Sequence, residues 1–283
     1  MTAPTNPSIT HDLRLAARQG LQPIAGSGWL AGFGNMFGKE MGEWFRTRRW
    51  MWQSLIWLSI INGFIAFILF LIPVIDPSEA QVEGAPPADV MAVTLFFAFS
   101  VMAGSIGMII LAQDEIIQEK QSGTAAWILS KPVSRQAFIL TKMLSNITGG
   151  VIFIVALPAF VALVEIYLAV QHSVPIVPFL AGTAVVLLAL IFYLSLVILL
   201  GVLFEQRGPV LGIAFGVMFG GLIASQFAPQ VSFFLPVNMD KIAFSISQGQ
   251  ALPAMAVSQL IATAAWSILF IAIALWRFQH TEL

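Results

Sequence analysis

Enzymatic chemistry would show first in histidines, cysteines and paired carboxylates, and this sequence offers little of it. Its three histidines, His11, His172 and His280, are far apart, and none belongs to an HExxH pair. There is no cysteine, which excludes disulfides, thiolate metal sites and thiol nucleophiles. Two glycine patterns imitate nucleotide sites. "GNMFGKE" has only three residues between Gly34 and Gly38 where a phosphate-binding loop has four, and Glu40 stands where a magnesium-binding hydroxyl belongs. "GSGWLA" has no strand before it. Neither is a nucleotide site, so no cofactor is expected on this chain, and no enzymatic activity of its own.

The charged groups that remain gather in "DEIIQEKQSGTAAWILSKPVSRQAF", residues 114–138. Asp114, Glu115 and Glu119 follow a long apolar run. Ser122 and Gly123 break the chain, and a short helix can begin at Thr124 behind a small polar cap. It ends near Ser130, because Pro132 disfavours helical geometry at Lys131. Ser134 then caps a helix running through Lys142 into the next apolar run. The product is a short helix presenting Trp127, Ile128 and Leu129, with Lys131 and Arg135 beside them. An apolar knob ringed by charge is either a docking site or an elbow packed back on its own chain.

The elements that carry this loop follow from composition. Of 283 residues, 58% are hydrophobic and 10% charged, with a mean hydropathy of +0.89, whereas soluble domains are about 25% charged. The expected fold is an all-α membrane protein. A helix of about 20 apolar residues crosses the hydrocarbon, and lipid leaves the backbone no other open solution. Six segments qualify: 52–75, 91–112, 144–169, 179–203, 209–228 and 254–275. No long apolar stretch precedes Trp52, so no secretory signal is expected. Net charge is −1, giving no basic footprint for nucleic acid.

Lysine and arginine placement sets the orientation. Arg14, Arg18, Lys39, Arg46, Arg48, Arg49, Lys120, Lys131, Arg135, Lys142, Arg207 and Arg277 fall on one side of the membrane, and Lys241 alone on the other. Both termini are therefore expected in the cytoplasm, with the chain multi-pass in a bacterial-type plasma (inner) membrane. The first outer loop carries Asp76, Glu79, Glu83 and Asp89 and no basic residue.

Residues 1–32 read as a mobile cytoplasmic tail, and residues 33–283 as a six-span domain. Within 33–50, Phe33, Phe37, Met41, Trp44 and Phe45 share a helical face, and Lys39 can pair with Glu43 one turn on. That pattern suits a helix lying flat in the headgroup layer; a plain extension of the first span is the alternative. In the fifth span Gly208, Gly212, Gly216 and Gly220 recur every four residues, a small-residue seam for close helix packing, either within the chain or on a second copy. Glu165 is the only ionisable residue well inside a span. It is either a substrate or proton contact, or a carboxylate bonded to a neighbouring helix. Residues 228–253 are too apolar for a free loop and too broken for a span, and read as an outer re-entrant segment.

The pattern of Glu119, Gly123-Thr124, Leu129, Pro132, Ser134-Arg135 and Lys142 resembles the permease subunits of type-2 ABC exporters. The motif match covers residues 119–142, and the six-span layout with an amphipathic helix in front agrees across most of the chain. The resemblance implies that 124–130 is a coupling helix seated in a groove of a separate ABC ATPase subunit. Trp127, Ile128 and Leu129 would be its buried anchors, and Glu119 and Arg135 its polar clamps. The interfacial helix would also reach toward the ATPase. ATP and magnesium would sit on that partner. The resemblance favours a second permease copy or a homologue across the glycine seam, and an outer gate near Phe233, Phe234 and Asn238. The acidic cluster is heavier than the motif requires, and Asp114 has no role in it. The rival readings are a secondary transporter or channel, for which Glu165 is too peripheral, a non-transporting scaffold, and an intramembrane enzyme.

Overall fold

Six helices in the computed structural model are long and apolar enough to cross a membrane, and the protein is a polytopic, all-α membrane protein. The structure describes residues 28–75, 86–130 and 133–280. Most of the expected tail, the outer-loop residues Asp76, Glu79 and Glu83, and Lys131 and Pro132 lie outside the described residues.

Helix α1 spans Phe33–Arg46. The first span, α2, covers Arg49–Ile75 and is loosened by two π-helical turns, Leu58–Asn62 and Phe67–Leu71. Then come α3 (Ala88–Ala112), α4 (Ile117–Gln121) and α5 (Thr124–Leu129). The third span, α6, is Arg135–Val170, with a π-helical stretch at Gly150–Ala156 just ahead of Pro158. It is followed by α7 (Ile176–Leu203) and α8 (Arg207–Phe227). A 3-10 turn at Pro229–Phe233 leads to α9 (Met239–Ser247) and the last span, α10 (Ala256–Gln279).

The core is built around α7, packed by α10, α9 and α3. Its most apolar stretch is 83% buried, against 22–28% for α2, α8 and α10. A helix hydrophobic all round belongs inside. The outer helices instead present large apolar residues outward, among them Val74, Phe227 and Ile268. Water would penalise that surface; lipid tails would not.

The sequence places the third span at 144–169, nine residues short at its start. Hydropathy excludes Arg135 to Lys142, but the helix runs through them unbroken because carboxylates from other elements neutralise Lys142. Helix α1 also ends four residues before the expected limit at 50. Its buried face is Met36, Glu40 and Trp44, so of the expected aromatic stripe only Trp44 is fully buried against the bundle. Phe37 and Met41 are half-buried and Phe45 is exposed.

Candidate functional site

The basic and acidic residues of the interhelical turns converge at one end of the bundle. Lys142, on the first turns of α6, is 3% exposed. Its Nζ lies 2.6 Å from Glu119 Oε1, 2.9 Å from Glu40 Oε1 and 3.4 Å from Glu115 Oε2. Arg49 Nη2 reaches Glu115 Oε1 at 3.3 Å, and Lys39 stands 3.8 Å from Glu40. Each of the three carboxylates thus faces at least one cation, while Lys39 is shared with the exposed Glu43. Buried charges persist only when paired in this way. Burial pushes the Glu40 carboxyl above its ordinary range, against the pull of the Lys142 ammonium.

This hub fastens α1, the start of α2, the α3–α4 turn and α6 to one another. Trp44 completes the joint. It stacks on Phe153 at 5.6 Å, and the Arg49 guanidinium sits 4.4 Å from its ring centroid, a cation–π contact. Gly149 makes room for it: a Cβ there would fall 2.2 Å from Trp44 Cζ2. Lys39 also lies 3.7 Å from Glu43, the pair expected one turn apart. Neither Glu40 nor Trp44's role is visible in a helical wheel, because their partners come from far along the chain.

The expected site residues divide between this hub and its surroundings. Glu119, expected as a clamp on a partner, is instead held by Lys142 within the chain. Arg135 Nη1 donates to the carbonyls of Phe278 and Gln279 at 3.0 Å each, so it closes the C-terminal end of α10. Asp114, without a role in the sequence, takes Arg207 Nε at 2.7 Å. Lys120 Nζ donates to Val202 O and Phe204 O, both at 3.2 Å. An ammonium at the end of α7 satisfies carbonyls that the helix itself leaves open.

Helix α5 begins after Gly123, whose φ of +70° lies in the left-handed region; Ser122 Oγ accepts from Thr124 N at 3.4 Å. Ser134 caps α6 by accepting from Ala137 N at 3.0 Å. It also donates through Oγ to Trp29 O, and through its backbone N–H to Ala31 O at 2.9 Å. The apolar block is split. Ala125 and Ile128 are buried in the chain's own core, Leu129 is half-buried, and Trp127 is 61% exposed. One face of α5 is an elbow and the other is open.

The remaining candidates lie elsewhere. A Cβ at Gly208, Gly212, Gly216 or Gly220 would meet nothing within 4 Å, so among the described residues this stripe is not an internal seam. Glu165 Oε2 accepts from Asn62 Nδ2 at 3.2 Å, and Asn62 Nδ2 also reaches Pro158 O at 3.0 Å. The carboxylate is thus bonded to a neighbouring helix, and Asn62 is the partner that the sequence reading missed. Phe233 and Phe234 meet edge to face at 4.8 Å, both exposed. Asn238, at φ 58°, lines a cavity of about 190 Å³.

No curated protein matches this sequence. Residues 51–283, from the first span to the C-terminal residue, match a family described as "Protein of unknown function (DUF2705)", and the chain belongs to it.

Proposed function

We propose that this protein is the membrane-spanning subunit of an ATP-driven transporter, an exporter of the type-2 ABC kind, with ATP and magnesium held by a separate ATPase. The observation that carries the reading is the divided character of α5. A surface helix anchored by Ala125 and Ile128 and displaying Trp127 is shaped to transmit force: one face is gripped from outside, the other is fixed to the spans. The hub at Lys142 supports this, because it locks α1 and the root of α5 to α6. The motif from Glu119 to Lys142 supplies the family analogy. Of the expected contacts, Trp127 remains the anchor for the ATPase groove, while Glu119 and Arg135 act by holding the loop in place. A second copy or a homologue would cover the open glycine stripe of α8. Residues 228–253 would form the outer re-entrant segment, with Phe233, Phe234 and Asn238 at its gate.

The test is Trp127→Asp in an affinity-tagged chain solubilised from its native membrane, with bound proteins scored for a Walker-motif ATPase. Central aromatic anchors are worth at least about 2 kcal/mol on truncation, roughly thirtyfold in affinity. Recovery of the ATPase should therefore fall more than tenfold while membrane insertion stays unchanged. Equal recovery from both proteins removes the docking assignment. A chain that supports ion-gradient-driven uptake without any ATPase would favour a secondary transporter.

A further inference from the structure

The cavity of about 190 Å³ between α3, α7, α8 and the segment leading into α9 has an uneven chemistry. Met102, Met218, Phe219 and Leu222 give it apolar walls. Asp240 is the one carboxylate lining it, and no lysine or arginine does. Ser105, 1% exposed, also lines it, and its hydroxyl has no hydrogen-bond partner among the described residues. A buried hydroxyl left unmatched costs free energy that a bound polar group would recover.

The cavity is built by a turnback of the chain. After α8 ends at Phe227, Leu235 and Val237 return to lie against Gly221, where a Cβ would be 2.9 Å from Leu235 Cδ1. Gln259 Nε2 pins the returning strand by donating to Leu235 O at 2.8 Å and to Val237 O. Asn238 reverses direction, and Asp240 follows in the first turn of α9. There burial pushes the carboxyl pKa of Asp240 up, against the pull of nearby backbone N–H groups and of the Lys241 ammonium. Met102, Phe219 and Leu222 are 48%, 42% and 38% exposed, so the apolar wall of the cavity continues onto the apolar surface of α3 and α8.

We propose that this cavity binds an amphiphile with a cationic nitrogen head group, the ammonium on Asp240 and the apolar tail leaving between α3 and α8. An anionic head would meet Asp240, because the neighbouring Lys241, which acts on that carboxylate, is exposed and does not line the cavity, and a large polar ligand would find apolar walls. The chain segment on α3 from Ala98 to Ser105 spans about 10 Å at helical rise, which suits a head group and the first few carbons. As a statement of cargo class, the inference rests on the transport reading; the binding it names needs no ATPase.

The chain alone, in nanodiscs of zwitterionic lipid, is titrated with radiolabelled decylammonium, whose N–H groups can donate to Ser105 and Asp240, and, separately, decyl sulfate. Saturable binding of the cation, and none of the anion above empty nanodiscs, is expected. Asp240→Asn should weaken it at least tenfold, and Asp89→Asn, on another part of the surface, should not. Ala98→Phe fills the cavity with Asp240 intact and should abolish binding, which covers the case that Asp240→Asn fails to fold. Equal affinity for the two head groups, or undiminished binding in the Asn or the Phe variant, overturns the proposal. Because no ATPase is present, that failure leaves the coupling reading standing.

Discussion

Lys142→Met is the sharpest test of the hub. The substitution keeps the length and apolar stem of the side chain and removes only the charge. Glu40, Glu115 and Glu119, whose side chains are 4%, 12% and 13% exposed, are then left with Arg49 and the half-exposed Lys39. Removing one partner of a buried ion pair costs about 3–5 kcal/mol. An independent limit comes from protonation, because a stranded carboxylate can take a proton instead. Neutralising a glutamate of ordinary pKa 4.5 at pH 7 costs about 1.36 kcal/mol for each of 2.5 pH units, or about 3.4 kcal/mol. The two estimates agree, and Glu40, already shifted upward by burial, is the group that takes the proton. The sign of the pH dependence follows. A folded-state carboxyl pKa above 4.5 means the native state binds the extra proton, so the penalty is full near neutral pH and shrinks as pH falls toward 4.5. The assay is reversible unfolding in mild detergent, followed by tryptophan fluorescence between pH 7 and pH 5. The variant should lose about 3 kcal/mol at pH 7 and recover part of it at pH 5. Adding Glu40→Gln and Glu119→Gln, which leaves Glu115 with Arg49, should restore most of the loss. A Lys142→Met protein as stable as the parent at pH 7, or a triple variant weaker than the single one, refutes the assignment of Lys142 as a buried counter-ion.

Other consequences are simpler to check. Gly149→Ala drives a Cβ to 2.2 Å from Trp44 and should cost about 1–3 kcal/mol as overpacking. Gly216→Ala meets nothing and should not lower the melting of the isolated chain, alanine being the better helix former by up to about 1 kcal/mol. Gly216→Leu should in addition lower cross-linking between two copies, and unchanged cross-linking removes the stripe as their seam. Asn62→Ala should cost about 0.6 kcal/mol, the average for a polar contact between membrane helices. A loss above 3 kcal/mol in the same unfolding assay would show that Glu165 depends on Asn62 far more than one hydrogen bond explains.

The spans were legible because lipid imposes a length and a composition on them, and residues such as Ile176–Leu203 meet both without exception. Their ends were less so. The start of α6 was hidden by Lys142, since a hydropathy count treats every lysine as solvated, whatever carboxylates surround it. Glycines told two stories with one letter: Gly149 and Gly221 are spaces filled by Trp44 and Leu235, while the regular series from Gly208 faces outward. The α5 helix was readable from Gly123 before it and Pro132 after it, both local signals. What could not be read was which of its apolar residues turns inward, because Ile128 and Trp127 differ only in what the rest of the bundle places beside them.

The distribution of fastenings at this end predicts which parts move together under the proposed docking. Helix α6 is joined to α1 and the α3–α4 turn by Lys142, to residues 29–31 by Ser134 and to α10 by Arg135. A load applied at Trp127 therefore reaches these elements as one rigid body. The polar link of helix α8 there, beside the packing of Val210 and Ala214, is the Arg207–Asp114 pair, whose side chains are 54% and 26% exposed, and exposed pairs contribute about 0–1 kcal/mol. Packed elements shift as units and slide where they are loosely joined, so α8 is the helix to move against α6. The chain has no native cysteine, which lets spin labels be placed singly or in pairs. Labels at Asn35 and Leu144 report α1 against α6; labels at Leu144 and Ile223 report α6 against α8. On binding a non-hydrolysed ATP analogue to a complex with the proposed ATPase, the first distance should hold within about 1 Å while the second shifts by several ångströms, as whole-domain rearrangements do. A change in the Asn35–Leu144 distance as large as the other would mean that the Lys142 hub opens during the cycle and is a switch rather than a weld.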